Sequence, residues 1–177
     1  MYLPPMLRTV KQRGAVVFTA GDYDLNVIAI RRGDNVDDLA VAYKVLGKWR
    51  IEWFIVSTEP TPQYLENPVN RKGAAILALG QHRLSHAAGL HRGRRALVQV
   101  GEVTVHRDND GDKIPNSKTT PTESGYFGIN VHDDRGGSAG CLLASTTTIA
   151  RLRELIVMQD KAGHGDRVTL TLIQGAR

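Results

Sequence analysis

One cysteine occurs in this 177-residue chain, Cys141, and it closes the stretch F-G-I-N-V-H-D-D-R-G-G-S-A-G-C, nine positions after His132. A lone cysteine forms no intramolecular disulfide, which leaves a buried small hydrophobe, a reactive thiol or an intermolecular link. A thiol attacks as its thiolate, and an unperturbed one, with a pKa near ~8.5, is only slightly ionised at neutral pH. A neighbouring imidazole accepts the proton and then stabilises the anion, so a Cys–His contact makes an acyl-transfer pair. His132 is the best-placed partner in sequence. The glycines of the intervening turn, Gly136 and Gly137, permit the backbone shapes that would return Cys141 to the end of a strand carrying His132. Gly140 lets the chain bend before the thiol and is expected to aim the amides of Gly140 and Cys141 at one point, as a tetrahedral oxyanion requires. One such donor lowers the barrier by roughly 3 to 4 kcal/mol.

The elements that must position this pair read as strands with one helix. V-V-F-T-A-G (16–21) and Y-D-L-N-V-I-A-I-R-R-G (23–33) are short, β-branched and end at glycine, so both are expected to be strands. D-L-A-V-A-Y-K-V-L-G-K-W-R-I-E-W-F-I-V-S-T alternates on either side of Gly47-Lys48, which predicts a hairpin pairing Leu39–Leu46 with Trp49–Ser57. Residues 58–72 hold three prolines and read as a surface loop. G-A-A-I-L-A-L-G and R-R-A-L-V-Q-V-G-E-V-T-V-H-R resume strand character, the latter broken at Gly101. After the cysteine, Ser145 is an N-cap for a helix that puts Ile149, Leu152, Leu155 and Ile156 on one face and stops at Gly163, and R-V-T-L-T-L-I-Q-G closes the chain as a strand. The fold class expected is mainly β (α+β), one domain over 1–177, with residues 1–14 an irregular N-terminal extension.

F-G-I-N-V-H with S-A-G-C resembles the signature of the L,D-transpeptidase catalytic domain family, in which a histidine in a G-I-H-G-type stretch precedes an S-x-G-C cysteine on a mostly β scaffold. K-W-R-I-E-W-F-I-V-S-T-E-P-T-P resembles the family's V-S-T-G and T-P stretch, and the helix and closing strand after Cys141 resemble the elements that follow the cysteine there. The likeness runs from about Asp38 to Ile173. It implies an L,D-transpeptidase-like β-sandwich with one principal helix after the cysteine. It also implies a thiol that attacks the carbonyl of the diamino acid in a peptidoglycan stem, releases the following D-residue and passes the acyl group to an amine or to water. On that resemblance Cys141 is the nucleophile, His132 the base, Ser138 the motif serine and Gly140 the oxyanion-hole glycine, with no metal or organic cofactor. The chain departs from the pattern in four places: the His-to-Cys spacing is shorter, Asp133 replaces a glycine, Ala139 stands where many members carry a second histidine, and Leu142-Leu143 replaces a pair ending in Arg or Asn. The middle of the chain resembles a compact bacterial and phage branch, which implies a lytic or remodelling role of the endolysin type; cross-linking transpeptidase and non-catalytic wall-binding module are the alternatives.

Other residues compete for attention. His82, His86 and His91 have spacings that would suit zinc on a helix, yet no H-E-x-x-H pattern accompanies them. Gln81, Arg83, His91 and Arg92 are better read as a polar or cationic wall that receives stem-peptide carboxylates, since arginine pairs with them bidentately. Tyr126 is assigned to the same substrate-binding wall, with packing in the core as its other reading. Asp133 and Asp134 beside His132 either favour its imidazolium by charge proximity or face solvent. D-N-D-G-D opens like a calcium loop, but Lys113 and Thr119 fall where such a loop wants glycine and a carboxylate.

The bulk composition bounds the partners. Apolar residues make up 41% of the chain and charged ones 23%, and no apolar run nears the ~20 residues a membrane helix needs. The net charge of +5 and pI near 9.6 favour anionic partners. Nucleic acid, anionic lipid and anionic cell-wall polymer all qualify. The basic run from His82 to Arg95 lacks interleaved aromatics and the chain has no helix-turn-helix or zinc-finger spacing, which argues against nucleic acid, and the family resemblance implies the wall polymer. Two prolines sit where a signal peptide carries its apolar stretch, so the expectation is a monomer held in the cytoplasm until it is released to the wall.

Overall fold

The computed structural model describes residues 2–32, 36–66, 74–86, 90–107, 122–133, 135 and 137–175. In chain order the elements are α1 (Pro5–Gln12), β1 (Asn26–Arg31), β2 (Asp37–Val45), β3 (Lys48–Ser57), α2 (Pro62–Glu66), β4 (Ala75–Leu77), β5 (Gly80–Ser85), β6 (Leu90–His91), β7 (Arg94–Val100), β8 (Val103–Arg107), β9 (Thr122–Gly125), β10 (Val131–Asp133), β11 (Leu142–Ala144), α3 (Thr146–Lys161) and β12 (Arg167–Gln174). Among the described residues strand outweighs helix, 46% to 20%, so the molecule is mainly β with one principal helix. In place of two stacked sheets, the main sheet closes on itself. Its order is β10-β11-β3-β2-β1-β12-β5-β7, and β7 pairs back to β10 to complete an eight-stranded barrel. A small second sheet, β4-β8-β9, lies beside it.

The alternation in each strand decides which side chains face inward. Val27 and Ala29, Leu39 and Val41, Leu170 and Leu172 join one apolar core with Leu97, Val131 and Leu142, and the Ile149, Leu152, Leu155 and Ile156 face of α3 packs into the same cluster. Ser145 caps α3, its side chain accepting from the Thr148 N–H, and Gly163 follows the helix at φ +85°. Ser145→Ala removes that acceptor and is expected to lower the unfolding free energy by about 1 kcal/mol in a urea titration, with turnover unchanged.

The hairpin of β2 and β3 forms with Val45 opposite Lys48, so its turn residues are Leu46 and Gly47, at φ +51° and +73°, one position earlier than the spacing suggests. Positive φ at both corners matches the right-handed twist of the flanking strands. Three further expectations are overturned. Residues 58–72, read as a loop, hold the short helix α2 (Pro62–Glu66). Residues 1–14 contain α1, with Pro5 at the first helical turn, where a missing N–H costs nothing, and Leu7 and Val10 buried against Ile28 and Ala42 on the outer face of the barrel. Residues 16–21 make no strand. The Gln81 side-chain amide bonds both N–H and C=O of Val16, and that of Asn26 does the same for Phe18, so side chains satisfy the backbone that a neighbouring strand would otherwise pair.

Candidate active site

His132 lies on β10 and Cys141 stands just before β11, and these two strands pair in parallel with Val131 opposite Leu142. The turn between them is thereby forced to return to the His132 end of the barrel. The segment 137–141 is clamped on both flanks. Thr61, in the loop after β3, donates its N–H to the Ser138 carbonyl at 2.9 Å, and Ala75 donates to the Ala139 carbonyl at 3.0 Å. Glycine is required at two points of this clamp. A Cβ on Gly137, at φ +69°, would lie 2.7 Å from Thr61 Oγ1, and one on Gly140 would lie 2.9 Å from the Ala75 carbonyl oxygen. Gly140→Ala must push the nucleophile segment off β4, so we expect a melting temperature lower by several degrees, from about 1 to 3 kcal/mol of overpacking, and a fall in turnover of at least ~10-fold.

The result is a cleft of about 510 Å³ whose lining includes Cys141, His132, His91, Ser138, Arg92 and Arg107. The Cys141 sulfur and one ring nitrogen each of His91 and His132 lie within 4.8 Å of one another. Sγ donates to the Gly128 carbonyl at 3.3 Å and accepts the Asn130 N–H at 3.5 Å. Burial pushes the thiol above its ordinary pKa, against the opposing pull of the Asn130 amide, the Ser138 hydroxyl and the Arg92 charge. The resting group is therefore a neutral thiol whose hydrogen is directed at the Gly128 carbonyl, within 4.8 Å of a nitrogen of each imidazole.

Both imidazoles have their proton fixed by their partners. His132 Nδ1 lies 2.7 Å from the Asp133 carbonyl oxygen, which only accepts, so Nδ1 carries hydrogen and Nε2 is left as the base. The Asp133 carboxylate takes no part in this: Arg135 and Arg94 hold it, at 2.6 and 3.0 Å, and keep it well below the usual carboxylate pKa. Charge proximity from Asp133 thus gives way to its backbone carbonyl as the group that orients His132; Asp134 lies outside the described residues. On the other ring, Asn130 Oδ1 accepts the Gln99 N–H at 3.0 Å, which turns its Nδ2 toward His91 Nδ1 at 2.8 Å. His91 Nδ1 is then an acceptor and its Nε2 the protonated nitrogen. Burial above all, with the charges of Arg92 and Arg94 and any charge His132 takes on, lowers the His91 pKa against the opposing pull of the Asp133 carboxylate.

The two rings stack, with centroids 4.4 Å apart and planes 6° from parallel. A metal binds in the plane of an imidazole, and one ion cannot lie in both of two stacked planes. The arrangement suits proton transfer better than a His–His–Cys metal centre. His82, grouped with His91 by spacing, is buried elsewhere with Nε2 on the Ala78 carbonyl.

The remaining candidates divide. Gly140 N–H points to Ser138 Oγ at 3.0 Å, so it buttresses the motif serine in place of facing an oxyanion, whereas among the described residues the Cys141 N–H has no hydrogen-bond partner. Arg92 reaches the cleft from the tight β6–β7 turn, at φ +49°. Gln81 is committed to Val16 and Thr171, Arg83 lies on the exposed face of β5, and Tyr126 is 74% exposed; none of the three lines the cleft. The D-N-D-G-D loop lies outside the described residues. Two residues that the sequence reading passed over matter. Gln99 Oε1 accepts the N–H groups of Phe127 and Ile129, pinning the cleft wall, and Asn130 touches both the sulfur and His91. The signal for Asn130 was available: a polar residue between the apolar Ile129 and Val131 is buried, and its hydrogen bonds must then be met.

No protein-family model, no curated protein and no solved structure matches this chain.

Proposed function

We propose that the protein is a cysteine peptidase or transpeptidase of the L,D-transpeptidase kind, which cleaves or exchanges the bond after the diamino acid of a peptidoglycan stem through a thioester on Cys141. The observation that carries this reading is one cleft holding a sulfur and an imidazole whose Nδ1 is tied to a backbone carbonyl, so that Nε2 is the free base. In the reaction His132 Nε2 takes the thiol proton as Sγ attacks the carbonyl carbon; the C–S bond forms and the carbonyl π pair moves to oxygen. As that oxygen reforms the double bond the C–N bond breaks, and His132 returns the proton to the leaving amine. Water or an acceptor amine then releases the acyl group by the same route. The Ser138 hydroxyl supports the thiolate.

Arg92 and Arg107 suit a substrate with carboxylates. Arg107 is braced by Glu123 at 3.3 Å and by the Phe127 ring at 5.1 Å, so its guanidinium is held in place at the cleft. The net charge of +5 complements an anionic wall. An endolysin-type peptidase, acting as a monomer after release from the cytoplasm, is preferred over a cross-linking enzyme. Incubation with defined tetrapeptide and cross-linked muropeptides, followed by mass analysis, separates hydrolysis from exchange; unchanged substrate in both arms refutes the enzyme reading. The resting thiol, with its proton on Gly128, favours one alternative, a wall-binding module without turnover. That module would retain wall binding in Cys141→Ala and leave every muropeptide intact.

A further inference from the structure

An oxyanion in a site of this kind needs more than one donor. The Gly140 amide is turned to Ser138, and among the described residues the Cys141 N–H has no hydrogen-bond partner. Another hydrogen in the cleft has its position dictated by the structure, and it belongs to His91. The chain of constraint starts at the Gln99 backbone amide, passes through Asn130 Oδ1 and Nδ2 to His91 Nδ1, and leaves the proton on Nε2, which has no hydrogen-bond partner among the described residues, on a ring that lines the cleft. The ring is held a second time by its stack on His132 and is close to the sulfur.

We propose that His91 is a catalytic residue, its Nε2–H joining the Cys141 amide as a donor to the tetrahedral oxyanion, and that Asn130 is a positioning residue that fixes the tautomer which makes His91 a donor. This rests on the reading of Cys141 as an acylated nucleophile, but not on peptidoglycan as the substrate. The stack divides labour between two imidazoles of different protonation. His132, with a free Nε2 lone pair, takes and returns the proton, while His91, kept neutral and protonated on Nε2, gives no proton away and only stabilises charge. The low pKa of His91 serves this division, since the charge that appears on His132 during attack further disfavours a second charge on the ring stacked against it. Asn130 also donates its backbone N–H to Sγ, so one residue sets the position of both the nucleophile and the donor.

The test compares two reactions at the same sulfur. Alkylation by iodoacetamide forms no oxyanion, whereas acylation by p-nitrophenyl acetate does. In His91→Ala, burst acylation should fall by about 100-fold, the scale of a lost oxyanion donor, while the alkylation rate changes by less than ~3-fold. His91→Gln, which keeps an N–H, should recover part of the loss. Asn130→Asp replaces the donor to Nδ1 by an acceptor and should move the His91 proton to Nδ1, seen directly in the 15N shifts of the ring, with a matching loss of acylation. Equal falls in alkylation and acylation would place His91 on the thiolate and overturn the proposal, as would undiminished acylation in His91→Ala, or an Nδ1–H tautomer for His91 in the unaltered protein. Normal ester acylation with muropeptides untouched would remove only the substrate assignment. A wild-type protein that p-nitrophenyl acetate does not acylate removes both.

Discussion

Cys141→Ser is expected to lose turnover of a stem-peptide substrate by ~10⁴-fold or more while keeping its melting temperature within a few degrees. The size follows from the chemistry. A serine hydroxyl is far harder to deprotonate than a thiol, and removing the nucleophile of a coupled pair forfeits the whole covalent route, with only binding and oxyanion stabilisation left. Stability is spared because Cys141 is only partly buried and its hydrogen bonds, from Asn130 N–H and to Gly128 carbonyl, are ones a hydroxyl also makes. Steady-state product formation by mass, with thermal melting of the same sample, checks both halves. Turnover within ~10-fold of wild type would assign the chemistry to another group.

His132→Ala is expected to cost ~10³- to 10⁴-fold in kcat/KM near neutral pH and to change the pH profile as well as its height. Because burial raises the Cys141 pKa, the sulfur carries its proton at neutral pH and something must remove it during attack. The wild-type rate should therefore be sustained through the neutral range, where His132 removes that proton as the sulfur attacks. Without His132 the only route to thiolate is hydroxide or bulk buffer, and the residual rate should climb steadily with pH toward and beyond the raised thiol pKa. Iodoacetamide labelling reads the same point without substrate. A variant whose profile keeps the wild-type shape would show that His132 is not the base. The alanine leaves a gap beneath His91 in the stack, so His132→Gln is the companion variant that fills it and is expected to lose activity equally.

Much of the scaffold was legible because the deciding forces are local. The alternation around Leu46-Gly47 writes the β2–β3 hairpin into nearest neighbours, and Ser145 with the Ile149, Leu152, Leu155, Ile156 face writes α3 in the same way. Barrel closure was not legible. It depends on Ala96 and Leu97 meeting His132 and Val131, a pairing of two short stretches far apart in sequence that no local pattern announces. Gln81 and Arg83 were chosen for the substrate wall by residue type, which does not say which face of a strand they take: in β5 His82 and Leu84 are buried, and neither Gln81 nor Arg83 lines the cleft. Residues 1–14 read as irregular, but a proline at the start of a helix sits where its missing N–H has no partner to lose, and α1 forms behind Pro4.

At the site itself the motif residues came together. His132, Ser138, Gly140 and Cys141 share one cleft because β10 and β11 run in parallel and Thr61 and Ala75 hold the intervening turn. What spacing could not supply was the direction of each hydrogen. The carbonyl of Asp133, not its carboxylate, orients His132, and the Gly140 amide is turned to Ser138. Both facts are decided by backbone torsions in a turn whose sequence admits several. Arg92 and His91 were recognisable as polar groups near a Gly-containing turn, but their delivery into the cleft needs the β6–β7 hairpin, whose second strand is also a barrel stave.

The measurement closest to the central claim is the intact mass of the protein quenched in acid during turnover of a tetrapeptide muropeptide. The account predicts a covalent adduct equal to the acyl portion of the stem ending at its diamino acid, located on Cys141 by peptide mapping, cleaved by hydroxylamine as a thioester is, and missing from Cys141→Ser. Processing of the muropeptide by protein whose Cys141 has already been blocked with iodoacetamide would contradict it.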